Sequence, residues 1–284
     1  MVKLVPTDPI SVIGEKLRSL GQGTVIYKAD FAPGVGLVEL QQPERHNSFS
    51  GKMMAEFRDI VLALEQQSQD SDMVALVMTG SRGKSFCAGL DMVFAEEHLK
   101  GRIRSREAVN RFMYDTLTRM SRLPLITVAS LAGAALGGGT ELLTTFDYVC
   151  MDSTTFIRFV QTKMGVTSPW GGIHRLVDRI GRKHALRIVA GAQPIDARMA
   201  HQIGLVDKVV ESSNTSKLDA YETCLAACLD LISPFVFDSK SKERVSPAAA
   251  RGMKQLMARS ERSTSGVIDH DMALFNSVAT LAKL

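Results

Sequence analysis

Apolar positions change their period along the chain, and each change marks an element. Residues 24–41, TVIYKADFAPGVGLVELQ, predict two short strands joined at the turn signal Pro33-Gly34. From Ser50 to Gln66 the apolar residues Met53, Phe57, Ile60, Val61 and Leu64 fall at helical spacing, so a surface helix is expected. MVALVMTG at 73–80 is fully apolar and ends in Gly, which suits a strand buried on both faces. A loop over 81–93, a helix near 105–121, a strand at Leu125–Ala129, a Gly-rich turn, a helix from Gly138 and a strand at Tyr148–Met151 complete the first two thirds. Strands alternating with helices argue for an α/β layer architecture with parallel pairing. From Lys183 the pattern turns mostly helical, with Gly204-Leu205-Val206-Asp207 as a brief strand-like break. The polar run Asp238 to Arg244 reads as an exposed loop before a helix that starts at Ser246-Pro247. Residues 1–23 read as an irregular lead-in, 24–210 as the core and 211–284 as a helical C-terminal subdomain.

Composition narrows the class. With 284 residues, 45% hydrophobic and 23% charged, the chain can bury a sizeable core, and disorder, collagen and coiled coil are excluded. A net charge of +4 is too small and too dispersed to demand a nucleic-acid partner. The longest apolar stretch, Leu123 to Gly139, is broken by Pro124, Ser130 and four glycines, so no membrane segment is read. Cys87, Cys150, Cys224 and Cys228 lack a disulfide or zinc rhythm and read as small buried hydrophobes; no metal site is expected. The N-terminus has no secretory pattern, and Asp8 and Glu15 argue against an organelle transit peptide.

Two Gly-centred loops each follow an apolar strand. One is Ser85-Phe86-Cys87-Ala88-Gly89-Leu90-Asp91; the other is Ala135-Leu136-Gly137-Gly138-Gly139-Thr140-Glu141, which opens a helix. Glycines let a backbone approach a ligand with no Cβ in the way. Two such loops at the ends of parallel strands could aim two amide N–H groups at one carbonyl oxygen, an arrangement worth roughly 100- to 1000-fold in rate per donor. The plain alternative is a pair of tight strand-to-helix turns. Neither loop fits G-x-x-x-x-G-K-[ST] or G-x-G-x-x-G, so a nucleotide phosphate site is not supported.

These two segments, with Pro43-Glu44-Arg45-His46-Asn47-Ser48-Phe49 before them and Pro169-Trp170-Gly171-Gly172-Ile173-His174-Arg175-Leu176 after them, resemble the crotonase (enoyl-CoA hydratase/isomerase) superfamily over residues 25–210. The resemblance implies a crotonase-type ββα spiral core with a helical C-terminal part, assembled as a homotrimer or hexamer. It implies an acyl-CoA thioester substrate, no separate cofactor, and an enolate held by two backbone amides. Carried over, the donors are Leu90 and Gly138, with Ala88, Gly89 and Gly137 bordering the substrate. Arg45, Lys84 and Arg82 are expected near CoA phosphates, and Trp170 is expected to wall a dry pocket.

The departures are informative. Hydratases of this family use two carboxylates; one falls at Glu141, but the other falls at Gln161. An amide cannot act as general acid or base, so classical hydration is disfavoured. The runs Arg158-Phe159-Val160 … Met164-Gly165 … Trp170-Gly171-Gly172 and Leu117-Thr118-Arg119 … Arg122-Leu123-Pro124-Leu125 more specifically resemble the decarboxylase branch, which acts on ethylmalonyl- and methylmalonyl-CoA. Such a reaction needs an oxyanion hole and a proton donor, and Glu141 is the candidate if burial raises its pKa. The alternatives are an enoyl-CoA isomerase or hydratase of fatty acid oxidation, and a catalytically silent CoA- or RNA-binding relative. Helix residues Gly101–Arg111 are basic but read as a solvated face, since no aromatic platform interleaves with them. The chain stops at Ala279 to Leu284, short of the longer Lys- and Phe-bearing helix with which relatives cover a neighbour's CoA. Ala282-Lys283-Leu284 resembles a peroxisomal address, with cytoplasm and mitochondrion as alternative locations.

Overall fold

The computed structural model describes residues 2–66, 71–212 and 217–258, together with Met272. Ala282-Lys283-Leu284 lies outside the described residues. In chain order the elements are α1 (Ile10–Leu17), β1 (Thr24–Ala32), β2 (Val35–Gln41), α2 (Gly51–Glu65), β3 (Ala75–Gly80), β4 (Ser85–Cys87), α3 (Met92–His98) and α4 (Ile103–Ser121). There follow β5 (Ile126–Leu131), β6 (Ala134–Leu136), α5 (Gly138–Leu143), β7 (Tyr148–Asp152), β8 (Phe156–Arg158), α6 (Gly172–Gly191), β9 (Ile195–Asp196), α7 (Ala197–Gln202) and β10 (Lys208–Val210). Helices α8 (Lys217–Val236) and α9 (Pro247–Ala258) close the described chain.

From β3 to β8 the strands leave the chain in pairs. The first member of each pair enters a six-stranded sheet ordered β1-β2-β3-β5-β7-β10, parallel throughout except for the β1–β2 hairpin. The second enters a smaller sheet ordered β4-β6-β8-β9, parallel up to its last, antiparallel pair. Three consecutive strand–strand–helix turns, β3β4, β5β6 and β7β8, thus stack one beside the next. The α/β class with a ββα spiral and a helical C-terminal part is what the structure shows.

Side-chain alternation along the large sheet feeds two cores, as the period of two requires. Leu76 and Met78 of β3, Ala129 and Leu131 of β5, and Val149 and Met151 of β7 pack into the spiral interior. Ala75 and Val77, Val128 and Cys150 point the other way, under α8, whose Tyr221, Cys224, Leu225, Cys228, Ile232 and Val236 cover them. This explains why β3 reads as an unbroken apolar run: both faces are covered. All four cysteines are buried and free.

Three expectations need correction. The lead-in is not irregular. Helix α1 buries Ile13, Gly14 and Leu17 and packs on α2 and α4; its eight residues are too few for an isolated helix, so tertiary packing holds it. The expected loop over 81–93 contains β4, three buried residues paired to β6, and the start of α3, capped by Asp91. The strand after Gly204 lies later than expected, at Lys208–Val210 beside β7, and Gly204 itself is a left-handed turn residue.

One side chain ties the strand ends under the first Gly loop. Asn47 is fully buried in a left-handed conformation (φ 53°) that Asn tolerates better than most residues. Its Oδ1 accepts from Gln42 N at 3.0 Å and Ser81 Oγ at 2.8 Å; its Nδ2 donates to Ser81 O at 3.3 Å and Ser85 O at 2.8 Å. Asn47→Ala leaves these buried partners unpaired and should lower unfolding free energy by about 3 kcal/mol, read by denaturant titration.

Candidate active site

The two Gly loops meet. A Cβ on Gly89, whose φ is 85°, would lie 2.4 Å from Gly138 N and 3.1 Å from Leu136 O, so no side chain fits between them. A Cβ on Gly139 would lie 2.1 Å from Cys87 O, which makes the last glycine of the run equally obligatory.

Leu90 is held by a single parallel bridge to Phe49. Phe49 N donates to Gly89 O at 2.6 Å and Asp91 N donates to Phe49 O at 3.0 Å, so both bonds go to the residues flanking Leu90. In that pattern the N–H of Leu90 itself faces away from Phe49. On the other loop, Gly137 caps α5 (φ 52°, ψ −121°) and Gly138 is the first helical residue, whose N–H has no partner within its helix. Among the described residues neither amide donates a hydrogen bond. Two unspent donors thus sit on backbones that touch.

Trp170 forms the wall. It is 3% exposed, and a Cβ on Gly138 would lie 2.3 Å from its benzo ring. Its Nε1 donates to Asn110 Oδ1 at 3.2 Å, and Phe49 meets it edge-on at 6.4 Å between centroids. Gly138 is therefore glycine because the indole occupies the place of its Cβ.

Glu141, at 1% exposure, lies one turn into α5. Its Oε2 accepts from Trp170 N at 2.8 Å and Gly172 N at 3.1 Å, where α6 begins. Gln161 Nε2 stands 3.5 Å from Oε1 and donates to Ser168 Oγ at 3.2 Å, while the Ser168 hydroxyl donates to the carboxylate. Burial pushes the Glu141 carboxyl up to about 7, against the opposing pull of Gly172 N–H, Ser168, Trp170 N–H and Arg175. The structure thus brings together Leu90, Gly138, Glu141, Gln161 and Trp170, with Gly137 and half-buried Ala88 at the rim.

The basic residues divide. Arg45 and Lys84 are exposed on loops joined by the Ala88 N–H to His46 O bond at 3.0 Å, beside the rim. Arg82 instead pairs with Glu222 and stacks on Tyr221 at 5.0 Å, so its guanidinium is already engaged. Sequence reasoning missed Arg175, which donates to Thr144 Oγ1 at 3.1 Å and Trp170 O at 3.0 Å and braces the Glu141 end of α5. It also missed Asn110. Helix α4 is not merely a solvated basic face: Asn110 is buried, and so is the Nε of Arg106.

A stacked ββα spiral that presents two unspent amides beside one buried acid is the architecture of a crotonase-type protein. The chain belongs to the enoyl-CoA hydratase/isomerase family, whose model matches residues 30–226. Similar proteins include ethylmalonyl-CoA decarboxylase of Homo sapiens, 39% identical over 184 residues (65% of this chain and 58% of that one). Those of Mus musculus (35% identity, 78% and 63% coverage) and Bos taurus (34%, 79% and 69%) are comparable. The match thus spans about six to seven tenths of the length of these curated relatives. Among solved structures, an enoyl-CoA hydratase from Bacillus anthracis superposes with a TM-score of 0.69 at 21% identity, covering 89% of this chain and 90% of that one. An enoyl-CoA hydratase/isomerase from Marinobacter aquaeolei gives 0.68 at 25%, covering 91% of each. The first of these shares the fold alone.

Two outcomes follow from this geometry. Trp170 is the sole tryptophan, so its fluorescence reports the wall directly. Gly138→Ala should push the indole outward, shifting emission to the red and lowering Tm. For Glu141 the folded pKa of about 7 exceeds the ordinary 4.5, so the folded state holds more protons between those values. Stability therefore falls as pH rises from about 4.5 to 7, by as much as about 3 kcal/mol. Glu141→Gln should remove that slope in denaturant titrations across the window.

Proposed function

We propose that this chain decarboxylates a short 2-carboxyacyl-CoA thioester of the ethylmalonyl or methylmalonyl type. The observation that carries the reading is the pairing of two unspent amides, Leu90 and Gly138, with one titratable acid, Glu141, whose neighbour at the second acid position is the amide Gln161. The similarity to ethylmalonyl-CoA decarboxylases supports it.

In this reading the thioester oxygen accepts from the Leu90 and Gly138 N–H groups. The bond from Cα to the carboxylate breaks, its electron pair becomes the enolate on that oxygen, and CO2 leaves. The two amides stabilise the charge where it develops, with no reorganisation at the moment of reaction. Protonated Glu141 then gives its proton to Cα, and solvent reprotonates the carboxylate. A pKa near 7 keeps a usable fraction of the acid form at neutral pH. Hydration of an enoyl thioester would need a second acid or base where Gln161 stands, which an amide cannot supply. Isomerisation of an enoyl thioester is the second reading, because one carboxylate suffices for it and Glu141 is that carboxylate. Arg45 and Lys84 are the residues we assign to CoA phosphates. Assembly into a trimer fits the apolar stripe Met253, Leu256 and Met257, exposed along α9 among the described residues.

The test is product analysis with ethylmalonyl-, methylmalonyl- and 3-enoyl-CoA thioesters. Release of CO2 with formation of butyryl- or propionyl-CoA is expected; double-bond migration without CO2 release selects the isomerase instead. Leu90→Pro removes one N–H while leaving both bonds of the Phe49 bridge, so turnover should drop roughly 100- to 1000-fold, whereas Leu90→Ala, which loses the same packing on the core but keeps the N–H, should retain most of it.

A further inference from the structure

Next to the proposed oxyanion hole, α4 carries polar groups that the fold does not use. Asn110 is 6% exposed, and its Oδ1 takes the indole N–H of Trp170. Its Nδ2 is buried and has no partner among the described residues. One helical turn earlier on the same face, Arg106 is half-buried and its Nε is also buried without a partner. A buried amide N–H2 left unpaired costs free energy, so its retention asks for a ligand acceptor.

The indole of Trp170 acts as a ruler between the two places. Its benzo edge lies on Gly138 and its pyrrole nitrogen on Asn110. The amide donor of Gly138 and the amide donor of Asn110 therefore stand at opposite ends of one ring system. An acyl group lying along the indole would meet backbone donors at its carbonyl end and Asn110 at its other end.

We propose that Asn110 Nδ2, backed by the Arg106 guanidinium, is the subsite for the carboxylate of a 2-carboxyacyl thioester. This assignment deepens the decarboxylase reading above and rests on it for the substrate's identity. The choice of a neutral amide for the direct contact has a chemical rationale. Loss of CO2 requires the breaking bond to stand perpendicular to the thioester plane so that its electrons enter the carbonyl. An amide donor holds the carboxylate in that orientation without cancelling its charge, whereas a direct bidentate Arg pair would stabilise the ground state strongly. Arg106, set one turn away, supplies attraction for a carboxylated over an uncarboxylated acyl group at longer range.

The test uses two CoA thioethers, 2-carboxybutyl-CoA and butyl-CoA, which differ by the carboxylate and cannot be decarboxylated because they lack the carbonyl. Their dissociation constants are measured by calorimetry on wild type, Asn110→Asp and Arg106→Gln. Asn110→Asp keeps an oxygen for the Trp170 N–H and replaces the donor with a negative charge. Wild type should favour the carboxylated thioether by about 10-fold or more. Asn110→Asp should abolish or invert that preference, and Arg106→Gln should shrink it about 3-fold, with butyl-CoA affinity and Trp170 fluorescence held in both. Equal affinities in wild type overturn the proposal. So does a preference that survives both substitutions, or a loss shared equally by the two thioethers, which would make Asn110 only a prop for the indole. If Asn110→Asp fails to fold, the wild-type ratio and Arg106→Gln decide alone. A wild type that keeps the preference yet releases no CO2 from ethylmalonyl-CoA overturns the decarboxylase reading and leaves the subsite standing.

Discussion

Two backbones touch at Gly89 and Gly138 with no room for a side chain between them, and the rest of the structure is arranged to keep them there. Each lies just past the end of a strand in the smaller sheet, β4 for one and β6 for the other, and those strands are neighbours in parallel register. Parallel pairing is what brings the two C-terminal strand ends to the same edge. Asn47 fixes the approach to the first loop from below, and the indole of Trp170 presses on the second from above. The result is a rigid pair of amides whose hydrogen-bonding capacity the fold leaves unspent.

Glu141 has two duties in one side chain. Its Oε2 accepts the two N–H groups where α6 begins, which favours the charged form. Its complete burial favours the neutral form, and burial wins, since the carboxyl is pushed up to about 7. Had the two N–H donors and Arg175 prevailed, the acid would be fully ionised at neutral pH and of little use as a proton donor. The same side chain therefore anchors α6 and stays available for proton transfer, because these opposing effects nearly balance.

Much of this was readable in the sequence. The α/β class with parallel pairing follows from apolar runs that alternate with helical periods, and the two Gly loops announce a close backbone approach by composition alone. Glu141 and Gln161 could be paired because their spacing from the loops fits the family pattern. Other parts were hidden for physical reasons. Helix α1 has only eight residues and forms because its apolar face docks on α2 and α4, a tertiary effect that local pattern does not carry. Strand β4 is three residues long, too short for a period to show. Asn110 and Arg106 were lost in a helix whose many basic residues look solvated. The available signal was their spacing of four beside Tyr114, a polar stripe running down a face that also carries buried aromatic side chains.

The central claim is that the Leu90 and Gly138 amides polarise one thioester carbonyl. Difference infrared spectroscopy of butyryl-CoA labelled with carbon-13 at the carbonyl, bound to the protein, reads that interaction without relying on turnover. Two added N–H donors should move the carbonyl stretch below its position in water, and Leu90→Pro should return it most of the way. A bound carbonyl that absorbs where the free thioester does would contradict the claim.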